Sequence, residues 1–131
     1  MANGAVIMKN ERPECCRHGV EASLDIIVGK WKPIILLHLL HGGTKRFGEL
    51  KRLLPDITQK MLTTQLRELE EQDIIERKVY AQVPPKVEYS MTAYGRGLHN
   101  LLQGMHEWGA AHLEHMARKQ RNTADKLIDN A

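Results

Sequence analysis

No stretch of this sequence stays apolar for the roughly 20 residues that a bilayer-spanning helix needs. Aromatic residues are scarce, with one Phe, two Trp and three Tyr, which argues against a surface that stacks RNA or single-stranded bases. There are two cysteines, adjacent at Cys15 and Cys16, and neither they nor His106, His112 and His115 have the paired spacing of a zinc module. P-loop, Gly-rich dinucleotide turn, nucleophile elbow and metallohydrolase motif are all missing, and Gly42-Gly43 reads as a helix stop. No enzyme, metal or cofactor is therefore expected. The opening MANGAVIMKNERPE has a short apolar run without a charged leader before it, so it does not read as a signal peptide. The expected compartment is the cytoplasm, with both cysteines reduced at rest.

What is present is ordinary in amount and specific in order. The 131 residues suffice for one domain with a core, and a net charge of +3 suits an acidic partner without naming one. Val20, Leu24, Ile27 and Val28 fall on one helical face, ended by Gly29. Trp31-Lys32-Pro33 opens a second helix, apolar nearly all round and therefore expected at the centre, which His41-Gly42-Gly43 ends. Thr44-Lys45-Arg46 reads as a short strand or as loop. Phe47, Leu50, Leu53 and Leu54 mark a short helix that Pro55 stops.

Thr58 is placed to cap the next helix, whose inner face is Leu62, Leu66 and Leu69. Asp73 stands where a left-handed residue is needed at its end. Glu76 to Tyr80 and Lys86 to Met91 are strand-like around a Pro84-Pro85 tip. Thr92 is expected to cap a long last helix bearing Leu98, Leu101, Leu102, Met105, Trp108, Leu113 and Met116. The fold class is mainly α with a small β-wing: a winged helix-turn-helix with an N-terminal and a long C-terminal dimerisation helix. Residues 1–17 read as a flexible arm, 18–120 as the single DNA-binding and dimerisation domain, and 121–131 as a disordered tail.

GKWKPIILLHLLHGGTKRFGEL and ITQKMLTTQLRELEEQDIIERKVYAQVPPKVEYSMTAYG resemble the two signatures of the HxlR family of winged helix-turn-helix regulators. The resemblance spans roughly Val20 to Trp108. It implies a homodimer, paired through terminal helices, that binds a palindromic operator in double-stranded DNA to repress or activate genes of detoxification or redox stress. One position departs from the family. Where members often carry a cysteine at the start of the first helix, this chain has His18, and Cys15 and Cys16 lie about one turn earlier.

Reading a major groove needs long donors on one exposed helix face. Thr58, Gln59, Lys60, Thr63, Thr64 and Arg67 supply them, and Arg67 suits a guanine edge or a phosphate equally. The plainer alternative is a solvated helix face. Glu68, Glu70 and Glu71 repel phosphate, so the helix should enter by its N-terminal half, as its dipole also favours. Arg77, Lys78 and Lys86 flank the wing tip and reach toward a phosphate or the minor groove, unless they only protect an edge strand. Lys45 and Arg46 are candidate phosphate clamps, while Lys51 and Arg52 read as plain surface charge.

Leu24, Leu98, Leu101, Leu102, Met105 and Trp108 are the expected dimer interface, since a monomer would expose a large apolar patch. Cys15 and Cys16, close to Arg12, Arg17 and His18, are candidate redox residues, set against two idle thiols. An oxidant or a small molecule is the expected effector, acting on the spacing of the two recognition helices. The rival readings are a winged protein-interaction module that binds no DNA, and a thiol peroxidase, which would need a catalytic shell this sequence lacks.

Overall fold

The computed structural model describes residues 12–129, the first four of them by backbone alone. Residues 1–11, most of the expected arm, lie outside the described residues, as do residues 130 and 131. Residues 12–17, expected in that arm, are instead helical, because helix α1 runs over Arg12–Ile27. Pro13 falls in its first turn, where a missing N–H costs nothing, and Arg17 pairs with Glu21 one turn on at 2.6 Å. Only Ile27 of the expected apolar face is buried, and Val20, Leu24 and Val28 are exposed.

Helix α2 spans Trp31–Gly42 and ends on Gly43, whose φ of 75° suits glycine. Its Ile35, Leu36 and Leu39 are buried, while Ile34, Leu37 and Leu40 are half-buried. Lys45–Arg46 form a strand, β1, rather than loop, and lead directly into helix α3 at Phe47–Leu53. The Glu49 carboxylate accepts from the Arg46 backbone N–H at 2.8 Å and secures that start. Leu50, Leu54 and Ile57 are buried, whereas Leu53, expected inside, is exposed.

Helix α4 is Gln59–Glu71, with the Thr58 hydroxyl accepting from Met61 N–H at 3.0 Å, as an N-cap should. Leu62, Leu66 and Leu69 are all buried. Its other end closes with the double bond of a Schellman turn: Ile74 N–H donates to Leu69 C=O and Asp73 N–H to Glu70 C=O, both at 3.0 Å. Asp73 takes the left-handed position, at φ 62°.

Strands β2, Ile75–Tyr80, and β3, Lys86–Met91, form the wing hairpin, and the antiparallel sheet has the order β1-β3-β2. Arg77 lies opposite Tyr89, and Lys78 opposite Glu88. On the far side of β3, Lys45 lies opposite Tyr89 and Arg46 opposite Glu88. Directly opposed residues share a face, so two rows cross the sheet. Lys45, Tyr89 and Arg77 lie on one side; Arg46, Glu88 and Lys78 lie on the other.

Thr92 caps the 3-10 turn that leads into the last helix rather than that helix itself. Its hydroxyl donates to Asp73 C=O at 2.6 Å and accepts from Gly95 N–H at 2.8 Å, tying the end of β3 to the turn that precedes β2. A single 3-10 turn, Gly95–Leu98, follows before helix α5 begins at His99. Gly95 is required by close approach, because a Cβ there would lie 2.1 Å from Ile74 C=O.

Helix α5 is His99–Asp129, 31 residues and about 46 Å long at 1.5 Å per residue. The tail expected to fray is helical as far as Asp129, helped by an Arg118–Glu114 pair at 2.9 Å. Where the sequence suggests one domain over 18–120, the chain divides into two compact units after Arg96. The first contains α1 to β3, and the second is essentially the rod α5. Among the described residues, no helix is long and apolar enough to cross a membrane.

Candidate nucleic-acid interface

The surface of α4 divides into three strips around its buried leucines. At 100° per residue, Lys60, Thr64 and Glu71 stand opposite the leucines. Thr63, Arg67 and Glu70 take the flank toward the wing sheet, where with Arg77 and Tyr89 they line a cleft of about 350 Å³. Met61, Gln65 and Glu68 take the other flank. There Glu68 pairs with Lys32 of α2 at 2.7 Å, and Gln65 reaches Met61 Sδ at 3.3 Å. One of the three carboxylates expected to repel phosphate is thus already neutralised by a distant part of the chain.

Thr58, Gln59, Lys60, Thr63 and Arg67 are exposed, and Thr64 is half-buried. The Thr63 and Thr64 hydroxyls donate to Gln59 C=O and Lys60 C=O, at 2.9 and 3.0 Å. Their protons are therefore used within the helix. What they offer outward is an acceptor lone pair and a methyl group, suited to a base amino group or a thymine methyl. Lys60, Arg67 and Arg77 make no ion pair among the described residues and keep all their donors free.

The other wing cations are engaged. Lys86 is half-buried, 3.3 Å from the Glu88 carboxylate and 4.8 Å from the centre of the Tyr80 ring. Lys78 lies over the same ring at 5.3 Å. Burial acts to raise the Glu88 pKa. Hydrogen bonds from Tyr80 and Lys86, with the charges of Lys86 and Arg46, outweigh it and hold the carboxyl below its usual range. Lys78, Lys86 and Arg46, expected at the DNA, thus share the sheet face turned away from Tyr89, where the Glu88 carboxylate answers Lys86 and Arg46 and the Tyr80 ring meets Lys78. Lys45 lies on the opposite face from Arg46, although the two are consecutive.

Of the neighbours Arg77 and Lys78, Arg77 lies on the cleft face and Lys78 on the opposite one. The signal was available: Ile75 is buried, and a strand returns to the same face every second residue, at Arg77. The Lys32–Glu68 pair had no such signal, because it joins two helices whose packing no local pattern encodes.

The HxlR-like helix-turn-helix family model matches residues 26–117. This chain belongs to that family. YtcD, an HTH-type transcriptional regulator of Bacillus subtilis strain 168, is 61% identical over 94 residues, covering 72% of this chain and 74% of that protein. Structures of the redox regulator HypR in its oxidized and reduced forms align with TM-scores of 0.67 and 0.69, both at 55% identity. They cover 71% of this chain and, respectively, 95% and 91% of those chains. Like its family, the chain is a DNA-binding transcriptional regulator with a winged helix-turn-helix.

The remaining expected sites of this HxlR-like regulator lie in the terminal helices. Leu101 and Met105 are exposed, Trp108 is 69% exposed, and with Asn100 and Gly104 they line an open trough of about 500 Å³. Trp108 stacks on His112 at 4.9 Å. Leu24 is exposed and Leu98 half-buried. Leu102 is the exception, only 1% exposed within the single chain and so closed to a second one. Leu101 and Leu102 point about 100° apart, and burial separates them, Leu101 standing exposed and Leu102 closed off. Cys16 is a free, exposed thiol on α1, while the side chain of Cys15 lies outside the described residues. Arg17, expected to favour a thiolate, is engaged by Glu21.

Proposed function

We propose that this regulator is a cytoplasmic homodimer that binds a palindromic operator and acts by binding alone, without catalysis. The exposed Leu101, Met105 and Trp108 row carries the dimer reading, because a surface tryptophan beside two apolar neighbours is costly to leave in water. Two-fold pairing would set the two α4 helices about 34–36 Å apart, one turn of duplex. Each would enter the major groove by its Thr58 end. There the capped N-terminus favours phosphate, and Gln59, Lys60, Thr63 and Thr64 face the bases.

The signal we infer is thiol oxidation or a small effector. The oxidative reading is supported by the exposed Cys16 and by the likeness to the redox regulator HypR. A peroxide would oxidise the Cys16 thiolate to a sulfenic acid, its O–O bond breaking with release of hydroxide. A second thiol, from the partner chain or a small thiol, would then displace water and form a disulfide. Either signal would act by changing the separation or tilt of the recognition helices.

Selection of genomic fragments by the purified protein, with and without a mild thiol oxidant, tests the whole reading. The expected result is enrichment of an inverted repeat, an occupancy that changes with oxidant, and a dimer mass in sedimentation. Duplex affinity indifferent to salt would favour the protein-interaction module instead, because phosphate contacts release counterions.

A further inference from the structure

The cleft between α4 and the wing holds two guanidinium groups from different elements, Arg67 on the helix and Arg77 on β2. Neither has an ion-pair or hydrogen-bond partner among the described residues. Glu70 lines the same cleft yet pairs with neither. Two like charges brought to one cavity repel each other, and a fold tolerates this only where solvent or an anion answers them. Elsewhere the wing does answer its cations, since Lys86 and Arg46 converge on Glu88. The inner face withholds that answer. Its cleft carries a net charge of +1, two arginines against one glutamate, which matches the single charge of one phosphodiester.

Resting on the operator reading above, we propose that Arg67 and Arg77 together hold one backbone phosphate of the bound duplex, at the seam between recognition helix and wing. Arg67 is then a positioning contact and not a base reader. Arg67 and Arg77 line the same cleft, so a phosphate seated there would meet both. Planar guanidinium forks suit a phosphate's oxygens, and two forks from separate elements fix the angle between helix and wing on the duplex. Tyr89, the cross-strand neighbour of Arg77, floors the cleft with a buried ring and keeps water from one side of the pair. Base discrimination falls instead to the N-terminal half of α4, at Gln59, Lys60, Thr63 and Thr64.

A double-mutant cycle on the full-length dimer tests the shared contact. Arg67→Ala, Arg77→Ala and the double variant are titrated against the selected operator and a random duplex of equal length, from about 50 to about 300 mM KCl. Each single change should weaken both duplexes alike, by about five- to tenfold near physiological salt. The double variant should lose far less than the product of the two, with the log–log salt slope falling by about 0.9 in all, one phosphate's worth. Arg67→Lys and Arg77→Lys should keep the slope while losing part of the affinity.

Multiplicative losses with a slope change of about 1.8 would mean two separate phosphates and overturn the proposal. So would a loss confined to the operator, which would make Arg67 a base reader. Saturable binding of inorganic phosphate to the free dimer, abolished by Arg67→Ala, would make the cleft a small-anion site instead. A wild-type dimer without salt-dependent duplex binding would remove the operator reading itself, and that result is seen before any variant is compared.

Discussion

In α4 the apolar stripe of Leu62, Leu66 and Leu69 is shut off from water, whereas in α5 Leu101, Met105 and Trp108 stand open along the rod. Both helices repeat apolar residues at three- and four-residue spacing, and the local physics that makes each a helix is the same. The difference lies in what surrounds them. Helix α4 belongs to a unit in which three other helices and the wing sheet supply buried residues of their own. Helix α5 is nearly all of its unit. A periodic stripe therefore marks a surface that must be covered, without saying whether the cover is the same chain or another.

That contrast is open to direct attack. The largest effect on the chain's own stability should come from Leu66→Ala, which removes a side chain with 1% exposure and should cost about 2–5 kcal/mol in urea unfolding. A loss under about 1 kcal/mol would mean that the α4 stripe is not a packed core. Trp108→Ala should spare each chain's own stability and instead weaken association by about 2 kcal/mol or more, read by sedimentation equilibrium. If it lowers stability as Leu66→Ala does, with the dimer constant unchanged, the two stripes do the same job and the contrast fails.

The helix starts differ in kind as well, and Thr58→Ala should cost about 1 kcal/mol through the lost N-cap of α4. Thr92→Ala should leave α5 helicity nearly unchanged by circular dichroism, since Thr92 braces the turn before β2 and caps only the short 3-10 turn ahead of α5. The smallest effect belongs to the outer wing face. The folded pKa of Glu88 is depressed, so its tie to Lys86 and Arg46 contributes fully above the ordinary carboxylate pKa. That contribution fades as pH falls through the lower, folded value. Glu88→Gln should erase this part of the acid sensitivity and little else, as a pH series of melting curves would register. A melting profile in acid identical to wild type would sink the role given to Glu88.

Much of the first unit could be read along the chain because its signals are local. Thr58 caps α4, Gly43 ends α2, Asp73 adopts the left-handed turn, and the wing strands bracket Pro84-Pro85, each by rules that act within a few residues. The candidate site was legible in outline, and the fold sorts its charges. Arg77 and Lys78 fall on opposite faces of β2, as strand alternation requires. The contact of Lys86 with Tyr80 needed the strand register, whereas Glu88, two residues along the same strand, is a local partner. Leu101 and Leu102 were grouped together because both are apolar, although a helix turns them apart.

By itself the sequence determined the order of helices and strands, the cap of α4, and the family to which the chain belongs, since these follow from periodicity, stop signals and short motifs. Only the tertiary structure decided which charges are spent and which are available. Glu68 is bound to Lys32 across two helices, Glu88 draws on Arg46 across the sheet, and Arg67 and Arg77 face one cleft without a partner among the described residues. The reason is physical: a charge's state depends on what stands within a few ångströms in space, and residues far apart in the chain become neighbours only when the chain folds.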